Sequence, residues 1–84
     1  MSVNAVFEAL AHPVRRKILR LLRQGPMSAG EIASHFDLTK PTLSSHFNKL
    51  KQAGLVAVVR QGTSLIYSLN ADLLQEAVSG LLVS

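Results

Sequence analysis

Apolar residues return at helical spacing in five stretches of this 84-residue chain, and between the fourth and fifth the pattern changes to that of a hairpin. The first stretch, about Asn4 to Ala11, places Val3, Val6, Phe7 and Leu10 on one face. His12-Pro13 stops it, because the residue before a proline is pushed out of the α region. Pro13 then suits the first turn of the next helix, where a missing N–H costs nothing. That helix is predicted to reach about Arg23, with Val14, Ile18, Leu21 and Leu22 inward and Arg16, Lys17, Arg20 and Arg23 mostly outward. Gln24-Gly25-Pro26 ends it, since glycine accepts a left-handed cap and proline cannot continue the helix.

Ser28-Ala29-Gly30-Glu31 has the spacing of a capping box, so a third helix should begin near Ala29 and carry Ile32, Ala33 and Phe36 inward. Asp37-Leu38-Thr39 makes the turn, with Leu38 expected to plug the gap between helices. Thr39 or Lys40 caps the fourth helix, with Pro41 in its first turn. Its core stripe is Leu43, Phe47 and Leu50, and Gly54 ends it as a left-handed cap. Leu55 to Arg60 and Leu65 to Leu69 flank Gln61-Gly62-Thr63-Ser64, a two-stranded hairpin signal. Asn70 caps a last helix from Ala71 to about Val83, apolar at Leu73, Leu74, Ala77, Val78, Leu81 and Leu82. That stripe is wider than docking on one small core requires.

The expected class is therefore mainly α with a small β-hairpin, in one domain spanning residues 1–84. Two helices joined by a tight turn, the second followed by a two-stranded ribbon, form a winged helix-turn-helix of five helices plus wing. Composition adds a second expectation. A chain this small buries only ~60–65% of its unfolded surface, yet 48% of its residues are hydrophobic and 17% charged. The surplus apolar surface on Val3, Val6, Phe7 and Leu10, with Leu74, Val78, Leu81 and Leu82, predicts a homodimer joined through the first and last helices.

Charge is uneven. All nine Lys and Arg fall between Arg15 and Arg60 against only Glu31 and Asp37, leaving +7, while Glu8, Asp72 and Glu76 make the flanks −3. A basic middle between acidic ends points to a polyanion at the centre. Placing Leu43, Phe47 and Leu50 inward turns Thr42, Ser45, Asn48, Lys49 and Gln52 outward, with Ser44 and His46 on the flanks of that face and counted among its candidate DNA contacts. Hydroxyls and amides dock closely and both donate and accept, as base edges in the major groove require. Lys40, Lys49 and Lys51 supply charge for phosphates, and Arg60 and Gln61 at the hairpin tip reach the backbone or minor groove. The partner read from these residues is double-stranded DNA.

A family likeness sits on the same residues. Ala9 to Leu19, as ALAHPVRRKIL, resembles the "ALADPTRRKIL" opening of the ArsR-type winged-helix repressors. Thr39 to Tyr67, as TKPTLSSHFNKLKQAGLVAVVRQGTSLIY, resembles their recognition helix and wing. Within that group the chain is most similar to the SdpR-type autorepressors, through its TAGEIA-like, TKP-like and LKQAGLV-like elements. The likeness implies a homodimeric repressor acting on a DNA operator, with contacts at Thr42, Ser44 and Ser45 supported by Lys40 and Arg60. It departs from metal-sensing relatives: Ser28 and Gly30 stand at the cysteine positions of some. Ala71 and Leu73 stand where others carry their first ligand pair on the last helix.

Other classes find little support. Cysteine is absent, which excludes a disulfide framework and cysteine-ligated metal. His12, His35 and His46 are scattered and read as surface or packing residues, so no metal or cofactor is expected. There is no glycine-rich phosphate loop, GxSxG elbow or HExxH pair. Ser44, Ser45 and His46 are adjacent but point apart on one helix and lack an orienting acid, so the chain is not expected to be an enzyme. No apolar run approaches the ~18 residues of a membrane span, and no secretory signal is present, which predicts a cytoplasmic protein. Two alternatives stay open: a winged helix that meets another protein, and a nonspecific chromosome-binding protein. The concentrated charge disfavours the first and the hydroxyl-rich face the second. With no metal switch expected, control falls to abundance, to a protein that sequesters the DNA face, or to a small molecule.

Overall fold

The computed structural model describes residues 3–83, excluding the side chains of Val3 and of residues 81–83. The elements are α1 (Val3–Leu10), α2 (Pro13–Leu22), β1 (Met27–Ser28), α3 (Ala29–Ala33), α4 (Lys40–Gln52), β2 (Val56–Gln61), β3 (Ser64–Leu69) and α5 (Ala71–Val83).

The corner between α1 and α2 is built by residues that satisfy orphaned helix ends. His12 is extended, and its Nδ1 accepts from the Val14 N–H at 3.1 Å, capping α2 with Pro13 in the first turn. The last carbonyls of α1 are taken by arginines from α2. Arg15 Nε donates to Ala9 O at 2.8 Å and Nη2 to Glu8 O at 2.7 Å, while Arg16 Nη1 donates to Leu10 O at 2.7 Å. The Arg-Arg pair of the opening motif is thus a clamp on the end of the first helix.

α3 begins with the expected capping box: Glu31 N–H donates to Ser28 Oγ and Ser28 N–H to Glu31 Oε1, both at 3.1 Å. It ends earlier than the apolar spacing suggests. His35 N–H donates to Ile32 O and Phe36 N–H to Ala33 O, i to i−3 bonds that tighten and close the last turn. Phe36 therefore lies beyond the helix, half-buried against the core, and Leu38 is 39% exposed rather than plugged between helices.

Thr39, not Lys40, caps α4: its φ and ψ of −68° and 156° are extended. The far end is a Schellman motif. Gly54 (φ 77°) donates to Lys51 O at 3.0 Å and Leu55 to Leu50 O at 3.1 Å, with Leu50 and Leu55 both fully buried at the turn. Asn70 then ties this turn to the last helix. Its Nδ2 donates to Gly54 O, its N–H to Leu55 O, and its Oδ1 accepts from Leu73 N–H as the cap of α5.

The wing differs from the expected two-stranded ribbon. Met27–Ser28 forms a third strand, and the antiparallel sheet runs β1-β3-β2 with Met27 opposite Tyr67 and Ser28 opposite Ile66. A two-residue strand carries no alternation to read, which is why the chain pattern misses it. β2 and β3 pair from Val56–Leu69 to Gln61–Ser64 across a Gly62-Thr63 loop. Gly62 at φ 60° supplies the positive φ that a type II′ hairpin needs at its first central residue.

The core draws on α1 to α4 and the sheet, and α5 packs against it through the half-buried Leu73, Leu74 and Ala77. Val6, Ala9, Ile18, Leu19, Leu22, Ile32, Leu43, Phe47, Leu50, Leu55, Val56 and Tyr67 are buried, and each large side chain stabilises the fold by ~1.5–3 kcal/mol. The Phe47 and Tyr67 rings stack at 4.4 Å, fixing the sheet against α4.

Candidate nucleic-acid interface

With Leu43, Phe47 and Leu50 sealed inside, α4 presents Lys40, Thr42, Ser44, Ser45, Asn48, Lys51 and Gln52 to solvent. The helix start is ordered by its own hydroxyls. Thr39 Oγ1 donates to Thr42 Oγ1 at 2.9 Å, which leaves the Thr42 O–H to donate outward. Ser44 and Ser45 sit one turn from the amino end, where the helix dipole favours negative charge and phosphates dock.

The wing tip is asymmetric. Residues directly opposite each other in an antiparallel pair share a face. Arg60–Leu65 lies on the face of Val58–Tyr67, the one that stacks on Phe47 of α4, whereas Gln61–Ser64 lies on the other. Both Arg60 and Gln61 are exposed, but only Arg60 projects on the side of α4.

Lys49, expected to face outward, and His46, expected on the flank of that face, are both engaged by other elements of the chain. Lys49 Nζ forms an ion pair with Glu8 Oε1 of α1 at 2.6 Å. That hydrogen bond and the lysine charge hold the Glu8 carboxyl below the usual range. His46 is half-buried and turned toward the α1–α2 corner. Its Nδ1 lies 3.2 Å from Arg15 Nη1 and its ring centroid 4.5 Å from that of His12. Burial, then the neighbouring His12, Arg15 and Lys49 charges, pushes its pKa below the ordinary histidine value.

Arg15 counts toward the basic middle of the sequence and is assigned there to neither the inward nor the outward face of α2. It is only 6% exposed. The signal was present: Arg15, Ile18, Leu19 and Leu22 share the i, i+3, i+4, i+7 spacing of the buried stripe of α2. Of the nine basic side chains, Arg15 is thus interior and Lys49 is already paired, so the outward charge is smaller than the count implies.

The residues expected at a subunit seam divide in three. Val6 is 4% exposed and belongs to the protomer's own core, while Leu10 and Leu74 are half-buried against it. Phe7 and Val78 remain 37% and 45% exposed. Val3, Leu81 and Leu82 have side chains outside the described residues. An open groove lined by Leu22, Pro26, Leu69, Leu74 and Val78 runs beside α5.

Among the described residues no group of three or more His, Cys, Asp or Glu side chains gathers as metal ligands would, and no helix is long and apolar enough to cross a membrane. Ser44, Ser45 and His46 form no catalytic set, because the His46 Nδ1 lone pair faces Arg15.

Comparison with known proteins agrees with this geometry. Residues 10–59 match a family described as a helix-turn-helix domain. The transcriptional repressor SdpR of Bacillus subtilis (strain 168) is 48% identical over 80 residues, covering 95% of this chain and 89% of that protein. The biofilm growth-associated repressor of Agrobacterium fabrum (strain C58 / ATCC 33970) is 35% identical over 84% of this chain and 61% of its own length. A solved ArsR family transcriptional regulator superposes with a TM-score of 0.86 at 31% identity, over 95% of this chain and 81% of that one.

Proposed function

Since this chain belongs to the ArsR-type helix-turn-helix repressors, a family of DNA-binding regulators and not of enzymes, we propose that it is a sequence-specific, homodimeric repressor that binds its own operator. The observation that carries this reading is the exposed row on α4. Thr42, Ser44 and Ser45 stand exposed on a helix whose Leu43, Phe47 and Leu50 are sealed into the core, with Lys40 at its start and Arg60 of the wing on the same side. In this proposal the hydroxyls read base edges, Lys40 and Arg60 meet phosphates, and Gln61 reaches the backbone from the far face of the wing. Lys49 joins them when it exchanges Glu8 for a phosphate.

Phe7, Val78 and the groove beside Leu74 support pairing through α1 and α5, with Val6 bracing the seam from beneath. Two recognition helices one helical turn of DNA apart would then read a two-fold site. We further propose a single domain, a cytoplasmic location, no metal site, and control by abundance, by a protein that sequesters the DNA face, or by a small molecule. The absence of any cysteine supports a switch of that kind over a thiolate metal sensor. The experiment is electrophoretic retardation of the DNA upstream of its own gene against a shuffled duplex. Equal retardation of both would reject sequence-specific repression.

A further inference from the structure

We propose that His46 is a positioning residue for the recognition helix, and that it acts only while neutral, so that acidification unlatches α4 and weakens operator binding. The inference rests on α4 being the DNA-reading helix.

The geometry dictates the protonation state. A guanidinium only donates, so the His46 Nδ1 that faces Arg15 Nη1 at 3.2 Å must be the acceptor, with the ring proton on Nε2. His12 is constrained in the same way, because its Nδ1 accepts from Val14 N–H. Both imidazoles thus present Nδ1 to a donor, with their ring centroids 4.5 Å apart across the corner that joins α1, α2 and α4. Every element packed there contributes a charged or titratable group: Glu8 from α1, His12 from the turn, Arg15 from α2 and Lys49 from α4 itself. Three of those four are cationic or become so on protonation. The carboxylate, Glu8, is bound to Lys49 and offers its backbone oxygen, not its side chain, to Arg15.

A proton on His46 Nδ1 would set N–H against N–H and a cation beside Arg15 and Lys49. Arg15 cannot retreat, since it is buried and holds the last carbonyls of α1. The latch therefore opens by moving His46, and with it the middle of α4, away from the corner. Thr42 and Ser45 lie within one turn of His46, so their pose against the wing changes too.

The sign follows from linkage. Burial and nearby cations lower the folded-state pKa beneath the ordinary value of 6.5, so the unfolded or unlatched chain binds the proton more tightly. The latched state is at full strength above pH 6.5 and is progressively lost as pH falls from there through the folded pKa. A histidine that touched phosphate directly would act oppositely, since its protonation strengthens binding to a polyanion.

The experiment measures operator affinity from pH 7.5 to 5.5 for the wild-type chain, His46→Gln and His46→Phe, each relative to its own value at pH 7.5. Gln offers an acceptor for Arg15 and does not titrate; Phe fills the space without an acceptor. The expected result is that wild-type affinity falls about tenfold, the scale of one hydrogen bond to a charged group, while both variants stay flat. The Gln variant should also bind more tightly than the Phe variant at pH 7.5. Wild-type affinity that rises or holds on acidification, or a Gln profile that follows the wild type, would overturn the proposal. A second readout needs no DNA: imidazole nitrogen NMR of the free protein should show His46 protonated on Nε2 at pH 7.5. An Nδ1–H tautomer would overturn the latch, and absence of operator binding at pH 7.5 would count against the DNA reading alone.

Discussion

Replacing Arg15 by methionine tests whether the basic pair of α2 is structural. The stem volume is kept, but Glu8 O and Ala9 O lose donors at 2.7 and 2.8 Å in a site where the side chain is 6% exposed. Hydrogen bonds to a charged group contribute ~1.5–3 kcal/mol each, and relief of the guanidinium's desolvation returns part of that. A net loss of about 2–3 kcal/mol is expected, a large share of the ~5–15 kcal/mol that holds a domain together. Arg16→Met is the internal control: one carbonyl bond of 2.7 Å from an exposed side chain, expected to cost under ~1 kcal/mol. Urea unfolding followed by circular dichroism at pH 7.5 and one fixed protomer concentration measures both, because association makes stability concentration-dependent. The Arg15 midpoint should drop by about 1–2 M urea with the slope unchanged. Equal, small losses for the two variants would refute the clamp.

Gly54→Ala should destabilise by ~1–2 kcal/mol in the same assay, since its φ of 77° is strained for any residue with a Cβ. Gly30→Ala, inside α3 with only Ser28 Oγ near its added methyl at 4.0 Å, should instead be neutral or stabilise by ~0.5 kcal/mol. Val78→Asp places a charge on an apolar patch that is 45% exposed in the protomer, and sedimentation at micromolar concentration should show it monomeric where the parent chain is dimeric. A parent chain that is itself monomeric would sink the seam. On DNA, Ser45→Ala should reduce discrimination between operator and random duplex by ~1–3 kcal/mol, whereas Arg60→Ala should weaken both alike and lower the salt slope by about one. Equal losses on the two duplexes for Ser45→Ala would contradict its assignment to a base.

Much of the helical frame was legible because its signals are local. Pro13, the Ser28–Glu31 box and Gly54 each bound a helix through chemistry within a few residues, and the apolar spacing of Leu43, Phe47 and Leu50 chose the buried face. What escaped depends on partners distant in sequence. β1 exists only because Met27 and Ser28 meet Tyr67 and Ile66. Lys49 reads as a phosphate ligand until Glu8, 41 residues earlier, is found beside it. Arg15 counts only toward the basic middle, and His46 stands only on the flank of α4, until the α1–α2 corner folds onto α4 and brings the two, 31 residues apart, together. The hydroxyl row of the candidate interface was visible because it depends on the spacing of α4 and on the nearby Thr39, not on a partner distant in sequence. The asymmetry of Arg60 and Gln61 required the strand register, which sets Arg60–Leu65 on the face of Val58–Tyr67.

The most direct test is quantitative binding of the purified protein to the DNA upstream of its own gene at physiological salt, beside a shuffled duplex of equal composition. Preference for the natural sequence by ~10³ or more, reduced by ~1–3 kcal/mol in Ser45→Ala and in Thr42→Ala but retained in Arg60→Ala at lower affinity, is the expected result. A chain that binds both duplexes equally, with affinity set by salt alone, would contradict a repressor that reads its operator through α4.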